Sequence, residues 1–113
     1  MMTPREIQTL MRKIFYFRVS MADGYRHLMK NDVLDVVLVN KLIGDYIATQ
    51  DVIVYASAQN CAYVPSGAAY ELICVYRDND AHADVQVVAS DFSGRILIEP
   101  IGVGVGENRK VLA

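Results

Sequence analysis

The central half of the chain, residues 51–101, alternates between two sets of side chains in the way that a half-buried β-strand does. Between Tyr70 and Tyr76, every second position is tyrosine, leucine or cysteine, with residues that favour a pleated surface among them. Turn-forming residues divide the stretch at 65–67, 77–80 and 91–94. Such closely spaced runs favour antiparallel pairing, because parallel strands need crossovers of roughly a dozen residues or more. The sequence therefore predicts a meander with strands at 51–64, 69–77, 84–90 and 95–105.

The first part of the chain is typical of helix. Thr3 can cap a helix, Pro4 suits its first position, and Glu6 can return a hydrogen bond to the Thr3 amide. Apolar residues then recur at helical spacing, and those expected to dock on the sheet are Ile7, Leu10, Ile14 and Phe17. The pattern predicts helix over 4–30, with a break or kink at Asp23-Gly24, where glycine is unfavourable in a helix interior.

Residues 33–39 are compatible with either strand or helix. Four of the seven are valine, which favours a strand, but the apolar spacing also fits a helix, and periodicity alone does not separate the two. Residues 40–50 favour helix, because Leu42, Ile43, Tyr46 and Ile47 share one side of it.

These elements together predict a single α+β domain, with N-terminal helices packed on a curved four- to five-stranded antiparallel sheet. Residues 1–50 form its mainly helical part, 51–105 the meander and 106–113 a tail. The order of elements resembles the cone folds typified by nuclear transport factor 2. That resemblance implies a cone-shaped pocket between helix and sheet, but no motif matches residue for residue, so it assigns no site residues.

Charge is unevenly distributed along the 113 residues. Residues 1–30 hold six basic and two acidic side chains, a net charge of +4, and residues 31–113 hold five basic and eleven acidic ones, a net charge of −6. The overall pI of about 5.6 argues against a dedicated nucleic-acid-binding domain. Apolar runs are far too short to span a membrane, and the charged N-terminus does not match a signal peptide. We therefore expect a cytoplasmic protein that does not bind membranes or nucleic acid.

The two cysteines, Cys61 and Cys74, would face each other or lie diagonally if 51–64 and 69–77 were paired strands. A disulfide is then geometrically allowed. We expect two reduced, half-buried thiols instead, because a secreted disulfide framework normally uses four or more cysteines.

A cluster of possible metal ligands follows the second predicted strand: Asp78, Asp80, His82 and Asp84. The alternating oxygens resemble the start of a calcium loop, but the glycine and the glutamate that such a loop needs are replaced by Ala83 and Ala89. We therefore expect a solvated turn, no metal site and no cofactor.

Candidate catalytic residues are few. His27 could act as an acid or base only if the fold supplied an acidic partner such as Asp45 or Glu71. A ligand pocket between helix and sheet would be lined by Tyr25, Tyr46, Tyr55 or Tyr76. None of these patterns is specific for a reaction.

Two functional hypotheses follow. The first is a small non-catalytic protein-interaction module that forms a homodimer, or binds another protein, through the uncharged end of the last strand: Ile101, Gly102, Val103, Gly104 and Val105. The second is a small-ligand-binding protein or enzyme that uses the cone-shaped pocket. A filled core beneath the helices would favour the first, and a pocket with converging polar groups would favour the second.

Overall fold

The structure, a computed structural model, describes residues 2–15 and 24–109. The elements within these ranges are, in chain order, α1 (Pro4–Ile14), β1 (Arg26–His27), β2 (Met29–Lys30), β3 (Val33–Leu34), α2 (Val36–Tyr46), β4 (Asp51–Tyr55), β5 (Cys61–Pro65), a 3₁₀ turn (Ser66–Ala68), α3 (Ala69–Asn79), β6 (Val85–Ala89), β7 (Gly94–Ile98) and β8 (Val103–Asn108).

A six-stranded sheet forms the centre of the fold, with the strand order β1-β8-β7-β6-β4-β5. Every neighbouring pair is antiparallel. A separate hairpin joins β2 to β3 through Asn31 and Asp32, whose φ angles of 52° and 65° suit a tight two-residue turn. The predicted α+β class and antiparallel sheet are confirmed, and the sheet has one strand more than the upper predicted number.

The predicted strand at 69–77 is wrong, because these residues form helix α3. Its buried residues Ala69, Ile73 and Tyr76 follow helical spacing and pack with the core beside the sheet. The tyrosine, leucine and cysteine side chains therefore fit both a period of two and a period near 3.6, and tertiary packing selected the second.

Two other predicted strands each prove to be two strands. Residues 51–64 contain β4, a turn at 56–60 and β5, and the amide and side chain of Asn60 bind Ser57 across that turn. Residues 95–105 contain most of β7, a turn and the start of β8, with Gly102 at a φ of 87°. Turn residues were present at both places, Ser57 and Asn60 in the first and Pro100 and Gly102 in the second, but the prediction did not use them to divide the apolar runs.

The N-terminal prediction is confirmed for α1, where Thr3 and Glu6 form a capping box. The predicted continuation to residue 30 is wrong after Gly24, because β1 and β2 occupy that region. Asp23 and Phe17 lie outside the described residues. Gly24 has a φ of 70°, which is incompatible with a right-handed helix.

Residues 33–39, for which the sequence allowed either strand or helix, form part of each. Val33 and Leu34 form β3, and Asp35 then caps α2 by accepting a hydrogen bond from the Leu38 amide at 3.0 Å. The expected helix at 40–50 ends earlier, at Tyr46. The expected tail also begins later, because Gly106, Glu107 and Asn108 belong to β8, while residues 110–113 lie outside the described part.

Helices cover both faces of the sheet. On the first face, α2 and α3 pack on alternate residues of the central strands in one buried cluster: Leu42, Ile43, Ile73, Val52, Val54, Val87, Ile96 and Ile98. On the second face, α1 packs on the intervening residues in another: Ile7, Met11, Phe15, Ile53, Tyr55, Val88 and Phe92. The central strands are thus buried on both sides, which accounts for their continuous apolar runs.

Candidate interaction surface

The last strand lies inside the sheet rather than at its edge. β8 pairs with β7 along its length, and Val103 and Gly104 also pair with β1. Leu28 and Leu42 lie directly over Gly104, and the ring of Tyr46 lies over Gly106, so the chain itself covers the glycine face.

The surface expected at Ile101, Gly102, Val103, Gly104 and Val105 is therefore not the free strand edge that the sequence suggested. Met29 covers Gly102, and Val105 is 1% exposed. Only Ile101, at 76% exposure, projects well into solvent. Self-association remains a prediction, but this strand no longer provides its physical reason.

The candidate acid–base pair does not form. The Asp45 carboxylate binds Arg26 at 2.6 Å and lies 3.8 Å from the Lys41 ammonium group. The hydrogen bond from Arg26 holds the pKa of Asp45 below its ordinary value. His27 follows Arg26 in β1, so its side chain points to the opposite face of the sheet. Glu71 lies exposed on α3, in its first turn.

The four candidate tyrosines do not line a common pocket. Tyr46 packs over β8 with the guanidinium of Arg26 5.7 Å from its ring centre, and Tyr25 is 44% exposed. Tyr55 belongs to the cluster on the second face and Tyr76 to the cluster on the first. Burial raises the pKa of both Tyr55 and Tyr76, as expected for packed phenols.

The cysteines cannot face each other across paired strands, because Cys61 lies in β5 and Cys74 in α3. Both are free thiols. Burial raises the pKa of Cys61, which lowers its thiolate fraction and its reactivity at neutral pH.

The possible metal ligands lie at the end of α3 and in the loop after it. The Asp80 carboxylate accepts a hydrogen bond from the His82 amide at 3.0 Å, as in a local turn. Asp78, Asp84 and their neighbours belong to no group of three or more potential ligands that converges within residues 2–15 and 24–109. In the same ranges, no helix is both long and apolar enough to cross a membrane.

The sequence analysis did not predict the buried charge of Arg95 on the second face. Arg95 is 4% exposed and donates hydrogen bonds to Glu107 at 3.0 Å and to Gln86 at 2.7 Å. Its guanidinium also lies 5.3 Å from the centre of the Phe15 ring. Arg95 and Glu107 are directly paired in the β7–β8 register, so the group links three strands to the residue that follows α1. This network joins β6, β7 and β8 on the second face.

The edge of the sheet formed by β5 is a candidate interaction surface, because its strand is uncharged. Within the part of the chain that the structure describes, β5 is the terminal strand of the sheet and pairs with β4 on one side only. The chain has no charged residue between Asp51 and Glu71, a range that includes β5, the turn before it and all of β4 after its first residue. Natural edge strands are usually blunted by charge, by proline or by cover, and β5 has only Pro65 at its end.

The backbone of β5 shows which groups the edge presents. Ala56 donates to the Asn60 carbonyl and Ser66 donates to the Gln50 carbonyl, so the even-numbered residues of this segment point towards β4. By the alternation of an antiparallel ladder, the N–H and C=O groups of Cys61 and Tyr63 point away from the sheet. Pro65 precedes the 3₁₀ turn Ser66–Ala68 as its N-cap, so its carbonyl accepts the first hydrogen bond of that turn.

Side chains hold this edge in place from both faces. Cys61 and Tyr63 pack against the cluster on the second face, and Val64 packs against the cluster on the first. The strand is therefore anchored by its side chains while one row of backbone groups remains available.

Among the described residues, no buried side-chain nitrogen or oxygen lacks a hydrogen-bond partner. We take the β5 edge as the candidate site because it presents the backbone groups of Cys61 and Tyr63 outward. Comparisons with protein families, with curated proteins and with solved structures found no match to this chain.

Proposed function

We propose that this protein is a small non-catalytic interaction module that binds a protein partner by adding a strand to the open edge of β5. In this mode, main-chain hydrogen bonds supply much of the affinity, and side chains on either face of the added strand supply selectivity. The observation that carries the proposal is an uncharged, well-anchored edge strand with outward amides at Cys61 and Tyr63.

The state of the core supports this function over a ligand pocket. The region between the sheet and α2 and α3 is filled by side chains that contact each other, and Leu42, Ile73, Val87 and Ile96 have no exposed surface. A pocket for a small ligand would need concave space with a few converging polar groups.

Free thiols at Cys61 and Cys74 support a reducing compartment, and we place the module in the cytoplasm.

The test uses a displayed library of short random peptides, selected on the full chain. Two variants of Tyr63 separate the backbone from the side chain. Tyr63→Pro removes the outward amide, and because that amide does not face β4, the β4–β5 ladder should remain intact. Tyr63→Ala removes the same ring but keeps the amide, so it is the matched control.

We expect selected peptides to bind the wild type and Tyr63→Ala and to lose binding to Tyr63→Pro. Circular dichroism would establish that both variants are folded. Peptides that bind Tyr63→Pro as tightly as Tyr63→Ala would place the interaction elsewhere, and a selection that yields no binder would also count against the proposal.

A further inference from the structure

We propose that the partner at this edge is a second copy of the same chain, paired antiparallel through β5 about a two-fold axis at Tyr63. This inference rests on the proposed function and adds to it the identity of the partner and the register of pairing. The two sheets would then form one continuous sheet across the dimer.

The outward backbone groups at the centre of β5 are self-complementary in this register. Tyr63 is the middle residue of Cys61–Pro65, so a two-fold axis there places every residue of the strand opposite another strand residue. The two Tyr63 backbones exchange two hydrogen bonds, the amide of each copy donating to the carbonyl of the other. Each Cys61 carbonyl lies opposite Pro65, which has no N–H to donate, so the hydrogen bonds of this register are concentrated at Tyr63.

Charge and side-chain pairing favour a second copy as well. Neither strand carries a charge, so two copies meet without the like-charge repulsion that usually prevents edge pairing. The axis sets Tyr63 beside Tyr63 on the second face and Ala62 beside Val64 on the first. Aromatic pairs and apolar pairs of this kind are favourable across strands.

Another register must be distinguished from this one. An axis at Ala62 would exchange hydrogen bonds between Cys61 and Tyr63, but it would set Val64 and Pro65 opposite the turn at 56–60 rather than opposite strand residues. The axis at Ala62 offers more backbone hydrogen bonds, whereas the axis at Tyr63 is the one that sets every residue of β5 opposite a strand residue and pairs the two Tyr63 side chains.

Sedimentation equilibrium over a wide micromolar range tests the association. A contact limited to two short strands buries little area, so we expect a reversible dimer of the weak class. Tyr63→Pro should weaken dimerisation at least about tenfold relative to Tyr63→Ala, because each copy loses a donor at the centre of the interface.

Cysteine cross-linking tests the register, in a chain that also carries Cys61→Ser and Cys74→Ser. With the axis at Tyr63, the two copies of Tyr63→Cys would have Cα atoms about 5.5 Å apart, within the range of a disulfide. The two copies of Ala62→Cys would be about 8 Å apart, which is too far. We expect mild oxidation to cross-link Tyr63→Cys and to leave Ala62→Cys monomeric on a denaturing gel.

Preferential cross-linking of Ala62→Cys would overturn the register. A chain that stays monomeric at every concentration would refute the inference that the partner is a second copy. If edge-binding peptides were still obtained, that result would leave the proposed interaction surface intact, so the two proposals fail separately. A dimer that is equally stable in Tyr63→Pro and Tyr63→Ala would reject pairing at this edge.

Discussion

Docking of α1 on the second face can be measured by comparing Ile7→Ala with Ile14→Ala. Both residues are isoleucines of the same helix, but Ile7 is 1% exposed and lies in the cluster with Ile53, Val88 and Phe92, whereas Ile14 is half-buried at its margin. The two substitutions therefore remove the same atoms from different environments.

The expected magnitude follows from the atoms removed. Isoleucine has three side-chain carbons more than alanine, and about 0.8 kcal/mol for each buried carbon gives about 2.4 kcal/mol for Ile7. The remaining cavity adds a further cost, so we expect a loss of about 3–4 kcal/mol for Ile7→Ala. At the half-exposed Ile14 site, we expect about 1 kcal/mol. The helical periodicity of the sequence, which places Ile14 on the docking face, instead predicts the loss of about 2–5 kcal/mol that is typical of a buried isoleucine.

Urea denaturation followed by circular dichroism measures both changes. The loss at Ile7 would be a large fraction of the roughly 5–15 kcal/mol that stabilises a typical domain. The m-values should not change, since the surface exposed on unfolding is nearly the same. An Ile7→Ala variant within about 0.5 kcal/mol of the wild type would refute the docking of α1. A larger loss at Ile14 than at Ile7 would show that the helix packs by another face.

Three further measurements address α2 and its surroundings. Gly44→Ala, at an exposed helix position with open space around the added methyl group, should raise the free energy of unfolding by about 0.5–1 kcal/mol in the same denaturation assay. Gly94→Ala should destabilise strongly, because its methyl group would overlap a backbone carbonyl at the end of α2, and a thermal midpoint equal to that of the wild type would contradict this contact. NMR titration should give Asp45 a pKa below its ordinary value, and that pKa should rise in Arg26→Ala. The stability from that pair is present above the unfolded pKa and lost as the pH falls through the lowered folded pKa, so the acid-induced loss should be smaller in Arg26→Ala.

Local chemistry predicted the element boundaries best. Thr3 and Glu6 form the expected capping box, since both partners lie within one helical turn. The turn clusters at 65–67, 77–80 and 91–94 all mark the ends of elements, because their residues favour local backbone conformations that end a strand or a helix. Antiparallel pairing likewise followed from the short connections.

Candidate sites were poorly predicted for a different reason. His27, Asp45 and Glu71 are far apart in sequence, and only the fold decides which of them approach one another. The structure pairs Asp45 with Arg26, adjacent to His27 but on the other side of the strand. Arg95 and Glu107 form a buried pair through the β7–β8 register, which no local pattern in the sequence encodes.

The sequence by itself determined the α+β class, the start of the first helix, the main turns and the absence of charge around β5. Tertiary structure decided the other features. Because the central strands are buried on both faces, their side chains do not alternate between apolar and polar, and the period of two that distinguishes a strand from a helix is lost. Residues 69–77 form a helix because this conformation buries Ile73 and Tyr76 against the first face of the sheet. Strand order made β8 an inner strand and β5 an edge, and this property depends on which strands pair across the sheet rather than on the residues within either strand.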